Sequence, residues 1–182
     1  MPLGQYSLSL LSTLQPAMRP LVQTLLDNCE AAGIPCDLVQ GARSYAEQQK
    51  VYDQGRTAPG PIVSNAPPGD SYHNFGLAVD LVPRVYKSLP NWNPTGPYWA
   101  QVGQIGEALG LTWGGRFSRP DKPHFELEAA PLSELKAYWN KFQQIMPITI
   151  TPTEGGAAII VFIGLAWFGV VQPMLRKQGM DA

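Results

Sequence analysis

The stretch Ser71-Tyr72-His73-Asn74-Phe75-Gly76-Leu77-Ala78-Val79-Asp80 decides how this chain is organised, and it follows the pattern S-x-H-x-x-G-x-A-x-D. It separates an imidazole from a carboxylate by seven positions, with small residues between them. Residues 77–82 have the apolar composition of a buried strand, in which Asp80 is the one charge. A carboxylate in such a strand is costly unless it is paired or bound to a metal. The stretch therefore predicts that Asp80 is a metal ligand.

A second stretch, Asp121-Lys122-Pro123-His124-Phe125-Glu126, supplies another imidazole and two more carboxylates. The chain has two histidines, and both fall in these two stretches. Two neutral nitrogen ligands from His73 and His124, with one anionic oxygen from Asp80, suit a zinc ion. The fourth position would stay open to water, which is the arrangement of catalytic zinc. The two stretches together predict a catalytic zinc site.

Peptide hydrolysis at such a site also needs a base that takes a proton from water and returns it to the leaving amine. Asp121 is a candidate because it lies three residues before His124. Glu126 competes for this role, since residues two apart in a strand share a face. A structural role for Asp121, as a loop aspartate, stays open at this stage.

A developing oxyanion needs a fixed positive group. Arg43 is the candidate, because it leaves a short predicted strand at 34–40 and precedes a predicted helix. The alternative is a surface ion pair between Arg43 and Glu47, four positions later on that helix. Ser71 is either a group that contacts substrate or a plain turn residue.

These motifs resemble those of the zinc peptidases of the lysostaphin, D-alanyl-D-alanine peptidase and sonic hedgehog group. Within that group the pattern is most similar to the L-alanyl-D-glutamate endopeptidases found as phage endolysins, followed by the VanY-like D-Ala-D-Ala carboxypeptidases. The resemblance covers about residues 6–142. The segments that carry it are 41–44, 54–57, 64–66, 71–80, 113–115 and 121–126.

The resemblance implies an α+β fold in which a small antiparallel sheet is flanked by helices. It places the zinc ligands at His73, Asp80 and His124. It also implies that Asp121 is the general base and acid, and that Arg43 holds the scissile carbonyl oxygen. Ser71 would contact substrate or orient the first zinc histidine. The implied substrate is the stem peptide of peptidoglycan, cut between L-Ala and D-Glu.

Two other functions remain open on the sequence alone. One is a D-Ala-D-Ala carboxypeptidase with the same metal site. The other is a non-catalytic zinc-dependent module for wall binding or assembly, a use that sonic hedgehog illustrates for this architecture. The retention of Asp121 beside a full set of metal ligands favours catalysis over the second alternative.

The C-terminal part of the sequence differs from the rest, because residues 155–175 contain no charge. As a helix this run would span roughly 31 Å at ~1.5 Å per residue, close to the thickness of a hydrocarbon core of about 30 Å. A buried core helix is the alternative. We predict a peptidase domain at 1–142, a linker at 143–154, a transmembrane helix at 155–175 and a short basic tail at 176–182.

Charge on either side of the predicted span indicates its orientation. Arg176 and Lys177 follow the span and Glu154 precedes it, and positive residues favour the cytoplasmic side. We therefore expect a single-pass anchor in a lipid membrane, with the peptidase domain facing the cell wall. The membrane would be that of a phage virion or the bacterial inner membrane.

Composition excludes some partners and leaves one question open. The net charge of −1 and a pI of about 6.1 give no basic patch for nucleic acid. Cys29 and Cys36 do not have the spacing of a metal site. They are predicted to be small core residues, with a local disulfide as the alternative.

Local signals predict where the helices begin. Apolar residues in 18–29 follow helical spacing behind a cap at Ser12. Ser44 and Glu47 have the spacing of a capping box, in which each side chain satisfies a backbone N–H of the other residue. A further helix is predicted to be capped by Thr95.

Overall fold

The computed structural model describes residues 5–87 and 93–145. In chain order the helices are α1 (Gln5–Ser12), α2 (Met18–Ala31), α3 (Tyr45–Asp53), α4 (Arg84–Lys87), α5 (Tyr98–Glu107) and α6 (Leu132–Ile145). The strands are β1 (Cys36–Gln40), β2 (Ala78–Pro83), β3 (Thr112–Trp113) and β4 (His124–Glu126). Short 3-10 helices occupy Tyr72–Phe75 and Gly114–Arg116. The described residues form two compact units, one of residues 5–42, 76–87 and 93–128, the other of residues 43–75 and 129–145.

The first unit contains the sheet, whose four strands are antiparallel and lie in the order β1-β2-β4-β3. Strand β2 is central, because it pairs with β1 on one side and β4 on the other. Its residues are buried except for the half-buried Asp80. The predicted α+β fold with a small antiparallel sheet is confirmed.

Helix α2 buries the predicted apolar stripe, which consists of Met18, Val22, Leu25, Leu26 and Cys29. Cys29 and Cys36 are both free and buried, so their predicted place in the core is confirmed. Burial of apolar side chains from α2 and β2 is the main contribution to the stability of this unit.

Helix α5 approaches the sheet closely because it carries glycine where it meets two rings. A Cβ atom at Gly103 would lie 2.3 Å from the Trp113 ring, and one at Gly106 would lie 2.3 Å from the Phe125 ring. These two rings stack with centroids 6.5 Å apart. The contact buries Phe125 completely and fixes strand β4 from its core side.

The second unit is built around α3, the 3-10 helix Tyr72–Phe75 and α6. Tyr45 contacts Phe75 edge-on at 6.4 Å and Trp139 at 5.6 Å between ring centroids. The hydroxyl of Tyr72 donates to the carbonyl of Ala130 at 3.0 Å. Aromatic packing and this hydrogen bond therefore join the segment before Phe75 to the segment that begins at Ala129.

Two of the three predicted caps are wrong. Ser12 ends α1 instead of starting α2, and the Arg19 side chain donates to the carbonyls of Leu14 and Ser12. Thr95 donates to Asn93, and α5 starts after Pro97 without a side-chain cap. In both places the predicted hydroxyl is bonded elsewhere, and that of Ser12 donates to the Ser9 carbonyl.

The third cap is confirmed. The Ser44 hydroxyl accepts from the Glu47 N–H, and the Glu47 carboxylate accepts from the Ser44 N–H at 2.8 Å. Helix α3 therefore begins at a fixed point directly after Arg43.

Helix α6 runs to Ile145. Residues 146–182, which include most of the predicted linker and all of the predicted transmembrane helix and basic tail, lie outside the described residues. Within the described ranges, no helix has the length and apolar character needed to cross a membrane.

Candidate metal centre

Asp80 and His124 face each other across the β2–β4 ladder, where they are register partners. Because side chains alternate between the faces of a strand, both lie on the face opposite Val79 and Phe125. The Nδ1 atom of His124 lies 3.1 Å from Oδ1 of Asp80. The backbone pairing of two strands thus brings two of the three predicted ligands together.

Glu126 holds the other side of the same imidazole, with its Oε2 atom 2.8 Å from Nε2 of His124. His124 is 8% exposed, so its ring is almost fully withdrawn from water. Burial lowers its pKa, but the hydrogen bonds to Asp80 and Glu126 outweigh burial and raise the pKa to about 10. The two carboxylates therefore favour positive charge on the His124 ring.

His73 lies in the 3-10 helix Tyr72–Phe75 and is 3% exposed. One ligand atom from each of His73, Asp80 and His124 lies within 4.8 Å of the ligand atoms of the other two. Two imidazoles and one carboxylate are a ligand set that zinc accepts, with a position left for water. The structure thus brings together the three residues that the sequence predicts, and their chemistry fits zinc.

Asp121 is tied to the start of β4 by backbone hydrogen bonds. Its carbonyl accepts from the His124 N–H at 3.2 Å, and its N–H donates to the Gly114 carbonyl at 2.9 Å. The residue is exposed. These bonds therefore form a turn that fixes the backbone of the exposed Asp121 three residues before His124. The carboxylate of Glu126, by contrast, contacts the His124 ring.

Gly114 makes that turn possible. A Cβ atom at this position would lie 2.5 Å from the Asp121 carbonyl oxygen and 3.0 Å from the His124 Cβ atom. Only glycine lets the backbone of the Trp113-Gly114-Gly115 segment approach so closely. The sequence shows Gly114 as a turn residue, but its contact with Asp121 depends on the folded loop.

Phe117 lies beside the same ligand, with its ring centroid 5.9 Å from that of His124. It is 37% exposed, so one part of the ring covers the imidazole and the other part meets solvent. Nothing in the sequence pattern singled out this residue. Its place follows from the loop 117–123, which is fixed where the Trp113 indole donates to the Lys122 carbonyl at 2.8 Å.

Arg43 is held at its backbone and at its guanidinium group. Its N–H donates to the His73 carbonyl at 2.9 Å, and its own carbonyl accepts from the Asn74 side-chain amide at 2.9 Å. The guanidinium donates to Oε1 of Gln48 at 3.0 Å. The Glu47 carboxylate, the alternative partner suggested by the sequence, caps α3 through Ser44.

Ser71 opens the 3-10 helix that contains His73. Its carbonyl accepts from the Asn74 N–H at 2.9 Å, and the residue is half-buried. Ser71 is therefore placed one residue before the helix that presents the first ligand.

Comparisons with known proteins identify the family of this chain. The sequence model of the D-alanyl-D-alanine carboxypeptidase family matches residues 64–127. The peptidoglycan L-alanyl-D-glutamate endopeptidase CwlK of Bacillus subtilis (strain 168) is 38% identical over 122 residues, which cover 60% of this chain and 73% of that protein. The chain belongs to this family of zinc D-alanyl-D-alanine peptidases and their endopeptidase relatives.

Solved structures were also compared with this chain, and the fold likeness is carried by the LD-carboxypeptidase LdcB, with a TM-score of 0.52. LdcB is 20% identical to this chain, and the match covers 62% of this chain and 58% of the LdcB chain. The L-Ala D-Glu endopeptidase ChiX of Serratia marcescens is 22% identical over 68% of this chain and 86% of that chain, with a TM-score of 0.47.

Proposed function

We propose that this protein is a zinc endopeptidase that hydrolyses the L-Ala–D-Glu bond in the stem peptide of peptidoglycan. The observation that carries the proposal is the convergence of His73, Asp80 and His124 on one candidate metal centre. The Bacillus subtilis relative, which is 38% identical and matched over 73% of its own length, is an L-alanyl-D-glutamate endopeptidase. The name of that relative is the basis for proposing peptidoglycan as the substrate and the L-Ala–D-Glu bond as the one that is cut.

The three ligand residues would hold zinc, which when bound polarises a carbonyl and lowers the pKa of water toward ~7. His124 would use the nitrogen that lies beside Asp80, because its other nitrogen contacts Glu126. A carboxylate behind a metal-bound histidine fixes the orientation and tautomer of the ring. Glu126 is thus proposed to orient His124, and the competing role as general base goes to Asp121.

Asp121 is proposed to take the proton of the attacking water and to return it to the leaving amine. A general base must be ionised, open to the reacting water and held close to it. The exposure of Asp121 and the backbone hydrogen bond between Asp121 and His124 support this role.

Arg43 is proposed to hold the oxygen of the scissile carbonyl as negative charge develops there. A guanidinium group stays charged at every relevant pH and donates through a rigid planar group. The contact with Gln48 and the backbone bonds to His73 and Asn74 order this side chain. Ser71, next to the same 3-10 helix, is proposed to contact the substrate.

Removal of the terminal D-Ala is the second candidate reaction, because the matching family model is that of D-alanyl-D-alanine carboxypeptidase. The two reactions use the same site but leave different products. Purified peptidoglycan digested with the enzyme can be separated into muropeptides and weighed by mass spectrometry. Loss of terminal D-Ala with an intact L-Ala–D-Glu bond would assign the second reaction.

We also propose that residues 155–175 anchor the enzyme in a lipid membrane, with the catalytic residues on the side of the cell wall. The support is the uncharged length of this segment and the position of Arg176 and Lys177 behind it. A phage lysin that rides on a virion membrane, or that is tethered to the bacterial inner membrane, would use such an anchor. Recovery of the full-length protein in the soluble fraction without detergent would reject the anchor.

A further inference from the structure

We infer that Gln48 is a positioning residue for the reaction, because its buried amide fixes both the Arg43 guanidinium and the segment Ser64–Ala66. This inference rests on the proposed function, which gives Arg43 its role at the scissile carbonyl. Gln48 itself is not proposed to touch the substrate.

Gln48 is the buried residue of helix α3, with an exposure of 0%. A polar side chain withdrawn from water is stable only if its donors and acceptors find partners. The Gln48 Oε1 atom accepts from Arg43 at 3.0 Å. Its Nε2 atom donates to the Ser64 hydroxyl at 3.1 Å and to the Ala66 carbonyl at 2.8 Å. Both ends of the amide are therefore used.

The chemistry of the partners fixes which way the amide points. A guanidinium group can only donate, and a backbone carbonyl can only accept. The Gln48 oxygen must therefore face Arg43, and its nitrogen must face Ala66. A glutamate at this position could serve Arg43 but would place an acceptor against the Ala66 carbonyl.

The contact with Gln48 acts at the far end of the Arg43 side chain. Its backbone is held by His73 and Asn74, but several rotatable bonds separate that backbone from the guanidinium group. Ordering these bonds costs conformational entropy. If the side chain were disordered in the free enzyme, that cost would arise each time substrate binds. Gln48 orders the guanidinium before substrate arrives.

The segment Ser64–Ala66 is held from a second direction by Arg56. The Arg56 side chain donates to the Ser64 carbonyl at 2.9 Å and to the Asn65 side chain at 3.2 Å. It also lies over the Tyr52 ring, at 4.1 Å from the centroid. Gln48 thus links Arg43 to a segment that Arg56 also holds in place. The position of the guanidinium is therefore fixed relative to that segment.

The test uses a double-mutant cycle in the zinc-loaded full-length chain acting on a stem peptide. We expect Gln48→Leu to lower kcat by roughly 10- to 100-fold, the usual effect of a small misplacement of a catalytic group, with unchanged zinc content. If Gln48 acts through Arg43, the double variant Arg43→Ala/Gln48→Leu will be no slower than Arg43→Ala alone. Losses that multiply in the double variant would overturn the inference.

Gln49→Leu is the matched control, because Gln49 is the next residue of α3, is exposed and donates to Asp53. We expect its kcat and KM to equal those of the wild type. Gln48→Glu is the second variant, in case Gln48→Leu does not fold. It keeps the acceptor for Arg43 and loses the donors to Ser64 and Ala66.

A measurement without turnover separates this inference from the proposed function. In the wild type labelled with ¹⁵N-arginine, the Arg43 guanidinium, assigned with Arg43→Lys, should show slow rotation. Gln48→Leu should make that rotation fast, whereas Gln48→Glu should keep it slow. Equal signals in the wild type and Gln48→Leu would reject the inference. If the wild type cuts no stem peptide, the proposed function fails, and these spectra still decide the role of Gln48.

Discussion

In the first unit, Asp80 and His124 owe their spacing to the backbone ladder of β2 and β4. In the second unit, two buried side-chain amides, those of Gln48 and Asn74, hydrogen-bond to Arg43. A ladder is made of repeated main-chain bonds, so a single side-chain substitution leaves it in place. A side-chain amide has no such redundancy, since its removal leaves its partners without their hydrogen bonds.

This difference separates two properties of the enzyme. The residues on the ladder are proposed to hold the metal together with His73, and those on the amide network are proposed to hold the carbonyl of the substrate. Substitutions in the first group should therefore change the zinc content. Substitutions in the second group should change turnover while the zinc stays bound.

His124→Ala should have the largest effect, because it removes a ligand and leaves Asp80 and Glu126 without their shared partner. We expect this variant to lose its zinc. Loss of a general base alone lowers turnover by about 10²- to 10⁴-fold, and we expect the loss here to be larger. Zinc content by atomic emission and turnover on a stem peptide check this. Full zinc occupancy in this variant would mean that His124 is not a ligand.

Asp121→Asn should come next. The amide cannot accept the proton, so we expect turnover to fall by about 10²- to 10⁴-fold at full zinc occupancy. Glu128→Gln, a change at a nearby exposed carboxylate, serves as the control and should leave turnover unchanged. Wild-type turnover in Asp121→Asn would remove Asp121 from the role of base.

Arg43→Ala tests the second unit directly. Loss of a group that stabilises the oxyanion costs about 10²- to 10³-fold in kcat, and we expect this loss with normal zinc content. Arg43→Lys should recover only part of it, because an ammonium group lacks the planar donor geometry. If Arg43→Ala instead loses zinc, the division between the two groups of residues is wrong.

Glu126→Ala should have the smallest effect of the four. Loss of a carboxylate behind a metal-bound histidine costs about 10- to 100-fold in metal affinity or activity. A competition titration with a zinc chelator measures the change in affinity. If zinc affinity is unchanged and turnover falls by about 10²- to 10⁴-fold, as expected for loss of a general base, then Glu126 and not Asp121 is the base.

The sequence alone predicts the part of the site that depends on local pattern. The strand around Asp80, the pairing of His124 with Glu126 on one face and the capping box before α3 all follow from spacing within a few residues. The α+β fold and the antiparallel sheet were implied by the resemblance that these motifs carry. Each of these features is present in the structure.

The contacts that sequence reasoning missed depend on segments far apart in the chain. Gln48 looks like an ordinary polar residue of a helix, but in the fold it is buried and bonded to Ser64 and Ala66, which lie 16 and 18 positions away in the sequence. Phe117 reaches His124 only when the loop at 117–123 closes. Such contacts have no period or spacing in the sequence, so no local pattern reports them.

The most direct test of the zinc endopeptidase is digestion of purified peptidoglycan by the full-length chain in detergent, with and without a chelator, followed by mass spectrometry of the products. We predict fragments with a newly exposed D-Glu amino terminus and peptides shortened to L-Ala on the muramyl side. These products should disappear with the chelator and return when zinc is added. Digestion that the chelator does not affect, or products that have lost only D-Ala, would contradict this prediction.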